Sequence, residues 1–180
     1  GVSALTIEDT ILPPAFGGQG EGLIATAEML GKLRAAVAAR VDPSLVIVGR
    51  TNAPRFASLE GTLERIKAYQ ETGIDALFLV GARSRAEVEA IHRVTPLPLM
   101  LGGSTPELAD RQFLAAHGVR IALQGHHPFY ASIKATYEAL KHLREGGAPA
   151  ALKDRVASEE LLNIALRQDD YNQWRQSFLH

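Results

Sequence analysis

Three groups of side chains that could do chemistry stand directly after short apolar runs of the sequence: Glu8-Asp9, Arg50 and His126. Two adjacent carboxylates offer hard oxygen ligands, which Mg2+ and Mn2+ prefer, either directly or through bound water. Neighbouring residues of a strand point to opposite faces, so we expect one of the two to face an ion and the other to cap a turn or a helix. The pair therefore predicts a divalent-cation site.

Arg50 and His126 are suited to a small acid substrate. The planar guanidinium of Arg50 can bind a carboxylate with two parallel hydrogen bonds, although an internal ion pair with Glu8 or Asp9 is the alternative. His126 follows Gly125, where backbone can approach closely, so its imidazole could donate to a substrate carboxylate or move a proton. A purely structural role for His126 is the alternative.

A glycine-rich turn, Gly102-Gly103-Ser104, follows another apolar run and could hold an anion at a helix amino terminus. The sequence contains no P-loop, dinucleotide-binding fingerprint or nucleophile elbow. The turn therefore predicts no nucleotide chemistry by itself.

The elements that must position these groups are five short apolar runs, each of which ends in a polar or glycine-containing step. They are too short for helices and lack the alternation of half-exposed strands, which indicates parallel strands covered on both faces. The runs are residues 4–7, 45–48, 76–80, 98–101 and 119–123, and helical spacing follows each of them, at residues 23–41, 58–72, 84–94, 105–117 and 128–144. Repeated strand–helix units predict a parallel α/β sheet, either open and doubly wound or part of an eight-stranded barrel.

Composition excludes several classes of protein. Among 180 residues, 19 Lys and Arg balance 20 Asp and Glu, and they are scattered, so a nucleic-acid partner is not expected. The absence of cysteine excludes disulfides, thiolate metal sites and a cysteine nucleophile in this sequence, and it favours a cytoplasmic protein. No apolar run approaches the roughly 18 residues needed to span a bilayer, so no membrane association is predicted.

Two segments lie outside the repeated units. Residues 11–22, with two prolines and four glycines, predict a long loop that acts as a lid beside the first strand, with a passive connection as the alternative.

A Gly- and Pro-containing break at residues 146–149 precedes two further helical segments, at residues 150–166 and around Tyr171, Trp174 and Phe178. We expect this tail to contact a partner subunit, with a self-packed cap as the alternative.

Five segments together carry a resemblance: ALTIEDT from residue 4, KLRAA from residue 32 with Ala39-Arg40, GRTNA from residue 49, QGH from residue 124 and IKATY from residue 133. In this order they resemble the isocitrate lyase and phosphoenolpyruvate mutase superfamily, and within it the bacterial oxaloacetate decarboxylases. The likeness extends over nearly the whole chain. It implies a (β/α)8 TIM barrel of which about five C-terminal βα units are present, with residues 1–146 as that part of the barrel and residues 147–180 as a helical extension.

The resemblance also implies a function: Mg2+-dependent decarboxylation of oxaloacetate, or a related 2-oxo dicarboxylate, to pyruvate and carbon dioxide, with Mn2+ as a possible substitute. By the same likeness, Arg50 and His126 contact the substrate and are the catalytic residues. Glu8 reaches the metal through water, and Asp9 is a second candidate. The family likeness further implies a homodimer or homotetramer with helices exchanged between subunits.

The sequence departs from the superfamily in two places. Family members begin before Gly1, with three further strands that carry a substrate-binding Ser and the Asp that ligates the metal directly, so the chain is expected to lack the N-terminal third. The lyases carry a Lys-Lys-Cys-Gly-type lid, whereas this chain has LPPAFG at residues 12–17. A lyase that protonates its product through that thiol is therefore not expected. The remaining alternatives are a phosphonate mutase or hydrolase and a non-catalytic fragment.

Overall fold

Five parallel strands form one sheet in the computed structural model, which describes residues 1–12, 16–17, 22–103 and 105–179. Most of the predicted lid and Ser104 of the glycine-rich turn lie outside the described residues. The strands are β1 (Ala4–Glu8), β2 (Val46–Thr51), β3 (Ala76–Leu79), β4 (Leu99–Leu101) and β5 (Val119–Ala122). Each strand pairs with the next one along the chain, in the order β1-β2-β3-β4-β5. A doubly wound sheet would reverse its order at a switch point, so this order is that of a sector of a barrel.

Helices connect the strands and continue beyond the last one. They are α1 (Thr26–Ala39), α2 (Ala53–Phe56), α3 (Leu59–Gln70), α4 (Arg85–Val94), α5 (Arg111–Ala116), α6 (His127–Arg144), α7 (Glu159–Leu166) and α8 (Gln168–Phe178), with 3-10 turns at Pro106–Leu108 and Pro149–Arg155. Side chains cap the starts of α3 and α4. Ser58 caps α3, and Ser84 with Glu87 forms a capping box at the start of α4.

Two predicted helices are wrong in extent because local capping divides them. The segment predicted as one helix over residues 105–117 is a 3-10 turn followed by α5, since the Asp110 carboxylate accepts hydrogen bonds from the backbone of Gln112 and Phe113 and starts a new helix there. The bond from Phe113 also holds the pKa of Asp110 below its usual range. Likewise, Ser158 caps α7, which begins at Glu159, nine residues later than the predicted start at residue 150.

The core lies between the sheet and the helices that cover it. Ile47, Leu77 and Leu79 of the strands are buried against Met29 and Leu33 of α1 and Ile66 and Tyr69 of α3. Gly73, at a φ of 84°, lies shortly after α3 in the left-handed conformation that commonly ends a helix. These contacts hold α1 and α3 against the sheet.

Contacts between residues divide the chain into two units, Gly1–Gly125 and His126–His180. The first unit holds the sheet and α1 to α5. The second unit holds α6 to α8, whose apolar side chains are largely exposed, among them Phe129, Tyr137, Ile164, Tyr171 and Phe178. The sequence-based ranges 1–146 and 147–180 remain a prediction.

No helix in the described ranges is both long and apolar enough to cross a membrane.

Candidate active site

Glu8 and Arg50 meet at the carboxyl ends of β1 and β2. The two residues are register partners in the parallel pair, and Nη1 of Arg50 lies 3.0 Å from Oε2 of Glu8. The side chains are 33% and 24% exposed, so the pair stays open to solvent at one side. The structure thus contains the internal ion pair that the sequence left open as an alternative for Arg50. It also places this pair at the carboxyl ends of the strands, where α/β enzymes bind ligands.

An aromatic ring and an unused donor define the rest of the Arg50 environment. The guanidinium carbon lies 5.2 Å from the centroid of Phe78, the register partner of Arg50 on β3. A Cβ on Gly102 would lie 3.0 Å from the Phe78 ring, so glycine there leaves room for the ring that supports Arg50. Nε of Arg50 is buried and has no hydrogen-bond partner among the described residues. The guanidinium is therefore oriented by its neighbours, and the exposed third of the side chain is the part that a ligand can reach.

Asp9 points away from Glu8, toward the helices that cover the sheet, and is fully buried. Its Oδ2 accepts hydrogen bonds from the Thr51 hydroxyl at 2.5 Å and from the Tyr69 phenol at 2.8 Å, and its Oδ1 accepts one from the Asn52 backbone at 3.0 Å. Nη1 of Arg65 lies 3.4 Å from Oδ2 and supplies a countercharge. We call these five residues the Asp9 network.

Burial controls the protonation of one member of the Asp9 network. Removal from water raises the pKa of the Tyr69 phenol above its ordinary value, and the negative charge of Asp9 acts in the same direction, whereas the hydrogen bond from Arg65 opposes it. The phenol therefore keeps its proton and remains a donor to Asp9. Sequence reasoning missed Arg65 and Tyr69 because they lie 56 and 60 residues from Asp9 along the chain.

One further cation approaches the end of β1. Nζ of Lys32, on α1, donates a hydrogen bond of 2.7 Å to the backbone carbonyl of Glu8. In the sequence, Lys32 was noted only as the first residue of the KLRAA segment, and no role was predicted for it. Its ammonium adds positive charge beside Glu8 and helps to hold the end of the strand.

His126 belongs to the second unit and is the residue that precedes α6. Its ring lies 6.2 Å from that of Tyr130, one turn further along the helix. The predicted role of His126 toward a substrate remains a prediction, as does the anion-binding role of the turn at residues 102–104.

The acidic groups fit a metal only as part of a larger ligand set. Within the described ranges, no three His, Asp or Glu side chains converge as a metal site would require. Both Asp9 oxygens accept hydrogen bonds from protein groups, whereas Glu8 is partly exposed and has one oxygen on Arg50. Glu8 can thus bind a water molecule that is itself a ligand of Mg2+, an ion that usually keeps several water ligands.

Comparisons with known proteins show which family the chain resembles. The family model of phosphoenolpyruvate phosphomutase matches residues 1–144. The oxaloacetate decarboxylase of Bradyrhizobium diazoefficiens is 50% identical over 168 residues, which are 93% of this chain and 58% of that protein. The enzyme of the same name from Rhodopseudomonas palustris BisB5 is 48% identical over 167 residues, 93% of this chain and 57% of that protein.

Solved structures show the same fold. Phosphoenolpyruvate phosphomutase from Streptomyces platensis subsp. rosaceus superposes with a TM-score of 0.81 at 24% identity, over 99% of this chain and 64% of that one. A phosphonopyruvate hydrolase, in complex with oxalate and Mg2+, gives 0.78 at 25% identity over 100% of this chain and 64% of that one. The chain thus spans less than two thirds of these proteins, and its five strands are part of the predicted TIM barrel. It belongs to the phosphoenolpyruvate phosphomutase family, within the isocitrate lyase and phosphoenolpyruvate mutase superfamily.

Proposed function

We propose that the protein decarboxylates oxaloacetate, or a closely related 2-oxo dicarboxylate, to pyruvate and carbon dioxide in a Mg2+-dependent reaction. The observation that carries the proposal is the Arg50 guanidinium, oriented by Glu8 and Phe78 at the strand ends with Nε unengaged. Such a group binds the carboxylate of a small acid. The names of the relatives at about 50% identity direct the choice of oxaloacetate.

The metal would be shared between this chain's Glu8 and other ligands. Glu8 would hold it through water, and the direct Asp ligand would come from a part of the family fold that residues 1–180 do not span. A bound Mg2+ would supply positive charge beside the 2-oxo oxygen, where negative charge develops during decarboxylation. Asp9 is a less suitable ligand because its oxygens are engaged inside the protein.

The chain's own side chains would bind and orient the substrate. Arg50 would hold the carboxylate that pyruvate retains, which fixes the plane of the neighbouring 2-oxo group. His126 would orient the carboxylate that leaves. The bond between C3 and C4 then breaks, its electron pair delocalises into an enolate over C2 and C3, and a proton added at C3 completes pyruvate. Arg50 contributes most if its bonds strengthen as that charge develops.

A second candidate is phosphonate chemistry. The matching family model and two solved relatives are named for reactions of phosphoenolpyruvate or phosphonopyruvate. Phosphonopyruvate also has a 2-oxo carboxylate, so the same Arg50 could hold it. The two candidates differ in the bond that breaks, between carbon and carbon or between carbon and phosphorus.

A substrate comparison separates the candidates. We expect a form of the protein that completes the eight-stranded barrel to release pyruvate from oxaloacetate with Mg2+ faster than Mg2+ alone does, to lose that excess rate with EDTA and to regain it when Mg2+ or Mn2+ is restored. Residues 1–180 alone should show little activity, because five strands cannot close the barrel. Coupled assay of pyruvate measures the rate, and heat-denatured protein is the control. Turnover of phosphonopyruvate alone would favour the second candidate, and no excess rate on either acid would favour a non-catalytic fragment.

The proposal includes a homodimer or homotetramer in the cytoplasm. Its support is the row of exposed apolar side chains on α6, at Phe129, Tyr130, Ile133, Tyr137 and Leu140, which a partner subunit would cover.

A further inference from the structure

The Asp9 network lies directly behind the Glu8–Arg50 pair. Asp9 follows Glu8 at the end of β1, and Thr51 follows Arg50 at the end of β2. Because successive side chains point to opposite faces, the bond between Asp9 and Thr51 ties the two strand ends together on the side away from the ion pair. Loosening that bond would therefore move both members of the pair.

The same carboxylate is anchored from the helix layer. Tyr69 and Arg65, four residues apart on α3, both approach Oδ2 of Asp9. Arg65 also donates to the carbonyl of Ile24, whose own amide donates to the carbonyl of Asp9, so the chain on either side of the loop after β1 is included. A buried charge needs such partners, and each partner in turn restricts the backbone that carries it.

We propose that Asp9 is a positioning residue, which through the Asp9 network fixes the strand ends that carry Glu8 and Arg50. It acts through those two residues and does not touch the substrate. The proposal rests on the proposed function in one respect, because it assumes that Arg50 binds the substrate carboxylate. It replaces a metal-ligand role for Asp9 with one that suits its complete burial.

Near-isosteric variants test this role in the purified protein. Asp9→Asn keeps size and an acceptor but removes the charge, and Thr51→Val removes one donor. Thr62→Val is the matched control, since Thr62 is buried on α3 and its hydroxyl has no partner in the described part of the chain. We expect the first two variants to lose about 10-fold or more in kcat/KM for oxaloacetate, with KM raised and more Mg2+ needed for half-maximal rate. Thr62→Val should match the wild type.

A spectroscopic readout needs no turnover. The 15N–1H signal of the Arg50 Nε, assigned by its loss in Arg50→Lys, reports how that guanidinium is held. We expect it to shift or split in Asp9→Asn and Thr51→Val and to stay unchanged in Thr62→Val. If the wild type does not decarboxylate oxaloacetate, the proposed function fails, and this signal still decides the positioning role.

Two results would overturn the role. One is wild-type kinetics and an unchanged Arg50 signal in folded Asp9→Asn and Thr51→Val. The other is an equal change in all three variants, which would mean general loosening of the core. Should Asp9→Asn fail to fold, as judged by circular dichroism, Thr51→Val against Thr62→Val decides.

Discussion

Replacing Arg50 with Ala should lower kcat/KM for oxaloacetate by about 10²-fold or more. The guanidinium has an ion pair at one nitrogen, an aromatic ring below it and an unused buried donor, which together present it to a carboxylate in one orientation. Arg50→Lys keeps the charge but loses the planar fork, so it should recover only part of the activity. Steady-state pyruvate release measures both variants.

The control for this prediction is an arginine that lies away from the strand ends. Arg34 is exposed on α1, and Arg34→Ala should retain wild-type kinetics. Turnover by Arg50→Ala at the wild-type rate would remove Arg50 from the reaction. An equal loss in Arg34→Ala would show that the effect is one of overall charge.

Replacing Leu77 with Ala should lower the free energy of unfolding by about 2–5 kcal/mol. Leu77 is 0% exposed on β3, the middle strand of the five, so the smaller side chain leaves a cavity where strands on both sides limit collapse. Urea unfolding followed by circular dichroism gives the midpoint and the slope.

The matched change at the surface is Val41→Ala. Val41 is 96% exposed after α1, and its loss should change stability by no more than about 0.5 kcal/mol. An equal fall in the midpoint for both variants would contradict the assignment of Leu77 to the core.

The strands could be predicted because their signal is local. Short runs such as residues 45–48 and 76–80 are apolar throughout, and a parallel strand covered on both faces requires this. All five predicted strands occur, in the sequential order that distinguishes a barrel sector from a doubly wound sheet. The predicted helix over residues 23–41 is shorter in the structure, since Leu23 bridges Thr10 and Ile24 bonds to Asp9 instead of entering α1.

The candidate site was only partly accessible from the sequence. Polar residues at strand ends identify Glu8, Asp9 and Arg50, because position along a strand is a local property. Which way each carboxylate turns depends on Arg65 and Tyr69, and only the folded chain brings α3 next to β1. Phe78 was predicted as a strand residue, but its place beneath Arg50 follows from the register between β2 and β3.

A crystal structure of the protein grown with Mg2+ and oxalate tests the proposed site most directly, because oxalate is a stable dianion that resembles the enolate of pyruvate. We predict that one oxalate carboxylate accepts hydrogen bonds from the Arg50 guanidinium, with the ion beside it and Glu8 reaching that ion through water. Oxalate and Mg2+ bound away from the ends of β1 and β2, with Arg50 engaged only by Glu8, would contradict it.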